Sequence, residues 1–183
     1  MSLNVFRAIT YISGGTFGTA LLHFLTTPLL IRFLGTGYGN YAFIMSLLAI
    51  STHFLGSVGD GIQKFIAERS DEQAWRGEVF GFSLRIACAV GTVLLLLLVA
   101  AVEIGVVARQ LGHHFEMSFY LLGLMIVTRV FFMTSRDVLI GIGSEHISEA
   151  IYTLHRLLFA VFGVSLAIFG FGVHGVLFGD VVA

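Results

Sequence analysis

Charged residues are scarce in this chain: Asp, Glu, Lys and Arg make up 11 % of its 183 residues, against 57 % hydrophobic residues. Soluble globular domains carry about a quarter charged residues, so this composition excludes an ordinary soluble domain. Cysteine occurs once, at Cys88, which excludes an intrachain disulfide and a thiolate metal site. No A-x-A cleavage site follows the first apolar run, so this run is predicted to be a retained membrane helix and not a signal peptide.

Motifs for chemistry are missing as well. The sequence has no nucleophile elbow, no phosphate-binding glycine loop that opens a soluble helix, and no basic-aromatic surface for nucleic acid. Glu145, His146, Glu149 and His155 crowd one connection but match no metal motif, so we expect a solvated loop there. The sequence therefore predicts that the protein is not an enzyme and has no cofactor, metal or nucleic-acid partner.

What the chain does contain is a series of apolar segments, each about long enough as a helix to cross a roughly 30 Å hydrocarbon core. They predict an all-α, polytopic membrane helix bundle, formed by residues 1–183, with five complete transmembrane helices and the start of a sixth. The predicted spans are 8–34, 40–59, 85–108, 117–135, 151–172 and, in part, 176–183. Because the last segment stops within an apolar run, we expect this to be the N-terminal part of a longer protein.

Basic residues are distributed unequally between the two sides of these spans. With a cytoplasmic N-terminus, Arg32 and Arg109 fall outside and the other eight basic residues lie on or near the cytoplasmic side. Cytoplasmic connections carry the excess of Lys and Arg. We therefore expect a multi-pass protein of the cell membrane with its N-terminus, and the connections at 60–84 and 136–150, in the cytoplasm.

The first two spans meet at a glycine-rich turn, and this region carries a family resemblance. The motifs are Leu34-Gly35, Tyr38-Gly39-x-Tyr41, Leu55-Gly56 and Lys64-Phe65-Ile66-Ala67. In this order they resemble the N-terminal region of polysaccharide and oligosaccharide flippases, in the exporter superfamily that also holds the multidrug and toxin extrusion proteins. One departure is Thr36-Gly37, where many members have proline or acidic residues.

The resemblance implies a two-bundle transporter, of which this chain would be nearly all of the first six-helix bundle. It implies that a lipid-linked oligosaccharide or polysaccharide precursor is flipped across the cytoplasmic membrane by alternating access. The substrate's head group would enter a basic cavity, while its polyprenyl tail stays among the membrane lipids. The implied partners are the glycan substrate, the missing C-terminal bundle and a coupling proton or cation that no residue here identifies.

Two alternative functions remain open. One is a cation-coupled multidrug exporter of the same superfamily, although the acidic residue that such members commonly carry in the first helix is absent here. The other is a non-transporting membrane scaffold or subunit that binds a partner through its glycine faces. Further apolar spans encoded beyond Ala183 would favour transport over the scaffold.

Ionisable residues within membrane segments often mark a transport path. The candidates for a substrate path are Arg129, His23, Asp60 and Lys64. Arg129 either reaches the cytoplasmic interface or faces the bundle interior, where its guanidinium could bind the phosphates of a lipid carrier. His23 could equally bond a neighbouring helix, and Asp60 could be solvated.

Two features of the first span concern its shape. Pro28 lies well inside the span and removes one backbone hydrogen bond, so a kink is expected there. Thr26 and Thr27 are expected to offer their hydroxyls to the freed carbonyl groups. Gly14 and Gly18 form a small-xxx-small face that predicts the close approach of another helix.

Overall fold

A computed structural model describes the backbone of residues 2–69 and 72–183, and the side chains of these residues except those of 2–9, 11, 12 and 54–58. Within these ranges the chain forms helices and turns and no strand, so the all-α prediction is confirmed. The helices are α1 (Ser2–Leu34), α2 (Tyr38–Glu68), α3 (Gln73–Glu103), α4 (Val106–Leu111), α5 (Glu116–Gly141), α6 (Glu145–Ile168) and α7 (Gly172–Val182), with 3-10 turns at Gly35–Gly37 and His113–Phe115.

The helices are longer than most of the apolar segments that predict them. Helix α2 continues to Glu68 and α3 begins at Gln73, so most of the predicted polar connection at 60–84 is helical. Helices α5 and α6 likewise occupy most of 136–150. Apolarity marks where a helix crosses lipid, but polar residues such as Gln, Glu and Lys are also good helix formers and carry it into the interface. At its C-terminal end, by contrast, α3 stops at Glu103, so the predicted span 85–108 is interrupted there.

Glycine provides most of the sharp changes of direction. Gly35 has φ 53°, and Gly105 between α3 and α4 has φ 72°. Residues with a Cβ rarely adopt these angles, so glycine at these points ends one helix and lets the chain turn. Positive φ also occurs at Gly112, Gly143, Gly170 and Gly172, which places such a glycine in each described junction other than that between α2 and α3.

Helix α5 is the central helix of the bundle and packs against α2, α3, α6 and α7. Its buried residues recur every three or four positions, as in Leu122, Met125, Ile126 and Val130, which are each 1 % exposed. This spacing turns one continuous stripe toward its neighbours. Helix α1 packs mainly on α6, at the edge of the bundle.

Contacts at one end of the bundle fix the directions of α1 and α2. Glu149, near the start of α6, lies against Gly15 of α1 and bonds Arg136 of α5. The next residue of α5, Asp137, lies against Gly59 of α2. The early part of α1 and the late part of α2 are therefore on the same side, so α1 and α2 run in opposite directions.

Four helical stretches of the described chain are long and apolar enough to cross a membrane: Ser13–His53, Gln73–Glu103, His113–Gly141 and Glu145–Ile168. The first contains parts of both α1 and α2, which the 3-10 turn joins without a gap in helical structure. Helix α7 is apolar and shorter, with 11 residues. The multi-pass membrane character is thus supported by four stretches, whereas the predicted count is five spans and part of a sixth.

Two expectations for α1 are wrong in detail. The hydroxyls of Thr26 and Thr27 bond the carbonyl oxygens of Leu22 and His23, at 2.8 Å each. The carbonyl that Pro28 deprives of its helical donor is that of Phe24, four residues before it. The threonines thus bond carbonyls of the preceding turn, as Ser and Thr commonly do in helices. A kink at Pro28 stays a prediction.

The second correction concerns the glycine face. A Cβ placed on Gly14 or Gly18 would meet nothing within 4 Å, so no helix of the described chain packs directly against these two glycines. Close approach occurs instead at the neighbouring Gly15, where a Cβ would lie 2.6 Å from a carboxylate oxygen of Glu149. The small-xxx-small spacing identifies a helix surface that can pack, but it does not identify the partner.

Candidate functional site

A buried ion pair joins the middle of α5 to α7. Arg129 Nη2 lies 3.4 Å from Asp180 Oδ2, and the two side chains are 11 % and 4 % exposed. Arg129 Nη1 lies 3.2 Å from His155 Nε2 of α6. Because a guanidinium has only donors, this geometry makes His155 Nε2 the acceptor and assigns the imidazole as neutral. Three helices thus meet through one arginine.

A second polar group lies two helical turns along α5. Arg136 Nη2 donates to Glu149 Oε1 at 2.6 Å, and its guanidinium carbon lies 4.7 Å from the ring centre of Tyr152. Arg156 approaches the same ring at 5.3 Å and donates to the Tyr152 hydroxyl at 3.0 Å. Tyr152 therefore contacts two guanidinium groups, which are attracted to the π face of an aromatic ring.

The two groups line neighbouring cavities inside the bundle. The smaller, about 100 Å³, is bordered by Thr128, Arg129, Phe132, His155 and Asp180, among others. The larger, about 230 Å³, is bordered by Arg129, Arg136, Tyr152, Arg156 and residues of α2 that include Thr52. Arg129 and Phe132 border both. We call the larger one the arginine cavity.

Positive charge exceeds negative charge around these cavities. The group contains three arginines and two carboxylates. These are Arg129, Arg136 and Arg156, and Asp180 and Glu149. Arg156 has no carboxylate partner among the described residues, and its Nε is buried without a hydrogen bond. Buried polar groups are normally bonded to protein or to ordered water, so each exception calls for an explanation. The arrangement suits an anion with several oxygen atoms.

Sequence spacing explains why these side chains meet. Arg129 and Arg136 are seven residues apart on α5, which places both on roughly one helix face. Glu149, Tyr152 and Arg156 are spaced by three and four residues on α6, and so they also share a face. The two faces are turned toward each other where α5 packs on α6.

The candidates predicted from sequence are scattered. Arg129 lies within the cluster, with its guanidinium inside the bundle. His23 is exposed on α1, with Nδ1 3.4 Å from Thr27 Oγ1 of the same helix. Asp60 and Lys64 are exposed on the last turns of α2. His23, Asp60 and Lys64 border neither cavity of the cluster.

The solvated-loop expectation for residues 145–155 is wrong for two of its four members. Glu149 is 8 % exposed and pairs with Arg136, and His155 bonds Arg129. Glu149 is buried and His155 is half-buried. Helix α6 begins at Glu145, earlier than the predicted span, so Glu149 belongs to a packed helix. His146 and Glu145 do not border the arginine cavity.

Asp180 and Arg156 were not among the predicted site residues. Asp180 does stand in an apolar segment, as Arg129 does, and an acid and a base that are each isolated in such segments are natural partners. This possible pairing with Arg129 is the evidence in the sequence that could have identified Asp180 as a site residue. Arg156 offers no such signal, because it reads as one more basic residue near the cytoplasmic side.

Among the described residues, no group of three or more His, Cys, Asp or Glu side chains could hold a metal ion. Comparison of the chain with protein-family models, with curated proteins and with solved structures gives no match. The resemblance to the flippases therefore depends on its own motifs, and the site is interpreted from its chemistry.

Proposed function

We propose that this chain is part of a membrane transporter that flips a lipid-linked oligosaccharide or polysaccharide precursor across the cell membrane by alternating access. The observation that carries the proposal is the arginine cavity, which holds more positive than negative charge inside an apolar bundle. Arginine binds two phosphate oxygens at once through its planar fork of donors. A head group with phosphates matches such a cavity, whereas an organic cation is repelled by it.

Five complete spans and part of a sixth agree best with this proposal. The stretch Ser13–His53 has 41 residues and would be about 60 Å long as one helix, roughly twice the hydrocarbon thickness. Because α1 and α2 run in opposite directions from Gly35, we assign one span to each. Helices α3, α5 and α6 supply three more, and α7 begins the sixth.

The topology predicts which connections are reachable from outside the cell. Single cysteines at Gln73, Gln110 and Ser144 in a Cys88→Ser background should react with an impermeant maleimide as follows: position 110 is labelled in intact cells, and 73 and 144 only after permeabilisation. The reason is the excess of basic residues on the side of positions 73 and 144. Labelling of position 73 in intact cells would reverse the assigned orientation.

Transport itself is tested at Arg156, whose charge lacks a carboxylate partner in the described chain. Arg156→Gln in the full-length protein should lower glycan export by about tenfold or more, since a hydrogen bond to a charged group contributes about 1.5–3 kcal/mol. Arg156→Lys should keep part of the activity, because it keeps the charge and loses the fork. Export of the glycan precursor to the outer surface is the measurement.

Arg85→Gln is the matched control, because Arg85 is an exposed arginine of α3 that does not border the arginine cavity. It should export as the parent does. If Arg156→Gln, expressed at the parent's level, also exports normally, the cavity does not bind the substrate and the proposed function loses its main support.

A further inference from the structure

Asp180 of α7 has a carboxylate oxygen without a partner in the described chain. Its Oδ1 is buried and makes no hydrogen bond, in a side chain that is 4 % exposed. Its Oδ2 faces Arg129 at 3.4 Å, whereas hydrogen bonds between charged groups are usually about 2.7–2.9 Å long. Asp180 also borders the smaller cavity, of about 100 Å³. It is therefore a loosely held carboxylate at the edge of a cavity.

The other carboxylate of the cluster is held more tightly. Glu149 Oε1 accepts a hydrogen bond from Arg136 at 2.6 Å, and the Glu149 side chain is packed closely against Gly15 of α1. Neither feature has a counterpart at Asp180, whose contact with Arg129 is 0.8 Å longer. Of the two carboxylates, Asp180 is the one that exchanges its partner more easily.

Arg129 connects Asp180 to the arginine cavity. The Arg129 side chain borders both the smaller cavity, where Asp180 lies, and the arginine cavity, where Arg156 lies. An anion in the arginine cavity therefore reaches the same guanidinium that Asp180 contacts. Because a guanidinium carries one positive charge, Arg129 can compensate Asp180 or a further anionic charge, but not both at once.

The charge of the cluster then determines which anions it accepts unaided. The three arginines exceed the two carboxylates by one charge, so an anion with a single negative charge, such as a phosphodiester, leaves the cluster neutral. An anion with two negative charges leaves one of them uncompensated inside an apolar bundle. An isolated buried carboxylate is costly enough that it becomes protonated instead.

The other titratable groups that face Asp180 are either neutral or already counted. His155 of α6 accepts a hydrogen bond from Arg129 and is neutral. Tyr41 of α2 is buried and interacts electrostatically with Asp180, Arg129 and Arg156, and its phenol is uncharged near neutral pH. The described parts of α1 and α7 also contain His23, Arg32 and His174, which border neither cavity. The extra positive charge for a second anionic charge must therefore come from a proton.

From this arrangement we propose that Asp180 is the proton-binding residue of the site. An anion with two negative charges binds in the arginine cavity together with one proton, which Asp180 takes up as Arg129 turns to the anion. An anion with one negative charge binds without a proton. The inference rests on the anion site of the proposed function and adds the charge of the head group: a diphosphate needs the proton and a phosphodiester does not.

Sulfate and methyl sulfate are suitable probes, because they carry two and one negative charges and neither titrates near neutral pH. Any proton taken up on binding therefore belongs to the protein. Equilibrium dialysis of the radiolabelled anions against the purified full-length protein in detergent gives each Kd between about pH 6 and 8. If one proton accompanies sulfate, its Kd should rise by about tenfold per pH unit wherever Asp180 is ionised without the anion and protonated with it. The Kd of methyl sulfate should change little.

Asp180→Asn is the decisive variant. The amide has nearly the shape of the carboxylate and no charge, so the cluster can compensate two negative charges without a proton. This variant should bind sulfate at the high end of the pH range at least as tightly as the parent does at the low end, and without dependence on pH. A variant that is only damaged in structure would lose affinity and not gain it.

Two further variants complete the comparison. Asp60→Asn makes the same exchange at an exposed carboxylate of α2 that borders neither cavity, so it should keep the pH dependence of the parent. Arg156→Gln should weaken the binding of both anions at every pH, because Arg156 borders the arginine cavity.

Three results would overturn the assignment. A sulfate Kd that does not change with pH, in a parent whose sulfate binding Arg156→Gln still weakens, would show an anion site without a linked proton and would leave the proposed function intact. A pH dependence that persists in Asp180→Asn and disappears in His155→Gln would place the proton on His155. Sulfate binding that Arg156→Gln leaves unchanged would place the anion outside the arginine cavity, and the proposed function would lose its support as well.

Discussion

Replacing Asp180 by leucine is expected to lower the free energy of unfolding by about 3–5 kcal/mol, the cost of leaving one member of a buried ion pair without its partner. Arg129 and Asp180 are 11 % and 4 % exposed, so solvent does little to compensate for either loss. Arg129→Met should cost a similar amount, since it leaves the carboxylate of Asp180 alone. The double variant Arg129→Met/Asp180→Leu should recover most of the loss, because two apolar side chains need no partners.

Unfolding of the purified protein in mixed micelles measures the three variants as a double-mutant cycle. The exposed pair Arg69–Glu72, with 3.8 Å between its charged atoms and side chains 57 % and 61 % exposed, is the matched control. Its single variants should change stability by less than about 1 kcal/mol. The buried pair does not stabilise the bundle if its single variants are as stable as the parent. The same follows if the double variant loses as much stability as the two single variants lose together.

Measurements of stability and of transport together should distinguish the role of Arg129 from that of Arg156. Its guanidinium bonds Asp180 and His155, so the charge of Arg129 is already matched inside the protein. Arg156 bonds the neutral Tyr152 and remains the more available cation of the arginine cavity. We therefore expect Arg129 variants to fail first in stability, and Arg156 variants to fail in transport at normal stability.

Apolar segments were enough to predict an all-helical membrane bundle, because a helix that crosses lipid must satisfy its backbone internally and present apolar side chains outward. They were not enough to predict helix ends. Helix α2 continues to Glu68 and α3 starts at Gln73, beyond the apolar runs, since polar residues continue a helix as well as apolar ones do. The full length of α3 therefore becomes visible only in the structure.

The candidate site was only partly predictable. An arginine within an apolar segment, Arg129, is visible in any hydropathy pattern. Glu149 and His155 are not, because they lie at a segment end where the same letters would equally suit a solvated loop. Glu149 is buried by the packing of α6 against α1 and α5, including its close contact with Gly15, and His155 is half-buried beside Arg129. Contacts between segments far apart in sequence are not contained in local spacing.

Close helix contacts were also misplaced, and the reason leads to a further expected result. The Gly14–Gly18 pattern of α1 faces open space, whereas α7 approaches α6 at Gly179 and Gly163, which lie in different helices and form no motif. A Cβ on Gly179 would lie 2.7 Å from the Cα and 2.8 Å from the N of Gly163. These are backbone atoms, which cannot move aside without separating the two helices.

Gly179→Ala should therefore destabilise the bundle by about 1–3 kcal/mol or more, the range for overpacking a rigid contact. Because Asp180 is the next residue, the same displacement should weaken its 3.4 Å contact with Arg129 and add to the loss. Gly163→Ala should cost less, since its Cβ would first meet the Phe159 ring, at 2.9 Å, and a side chain can rotate. Gly18→Ala, in open space, should be neutral or slightly stabilising through helix propensity. Thermal unfolding of the three variants in detergent should follow this order, and a Gly179→Ala protein as stable as Gly18→Ala would show that α6 and α7 do not pack through these glycines.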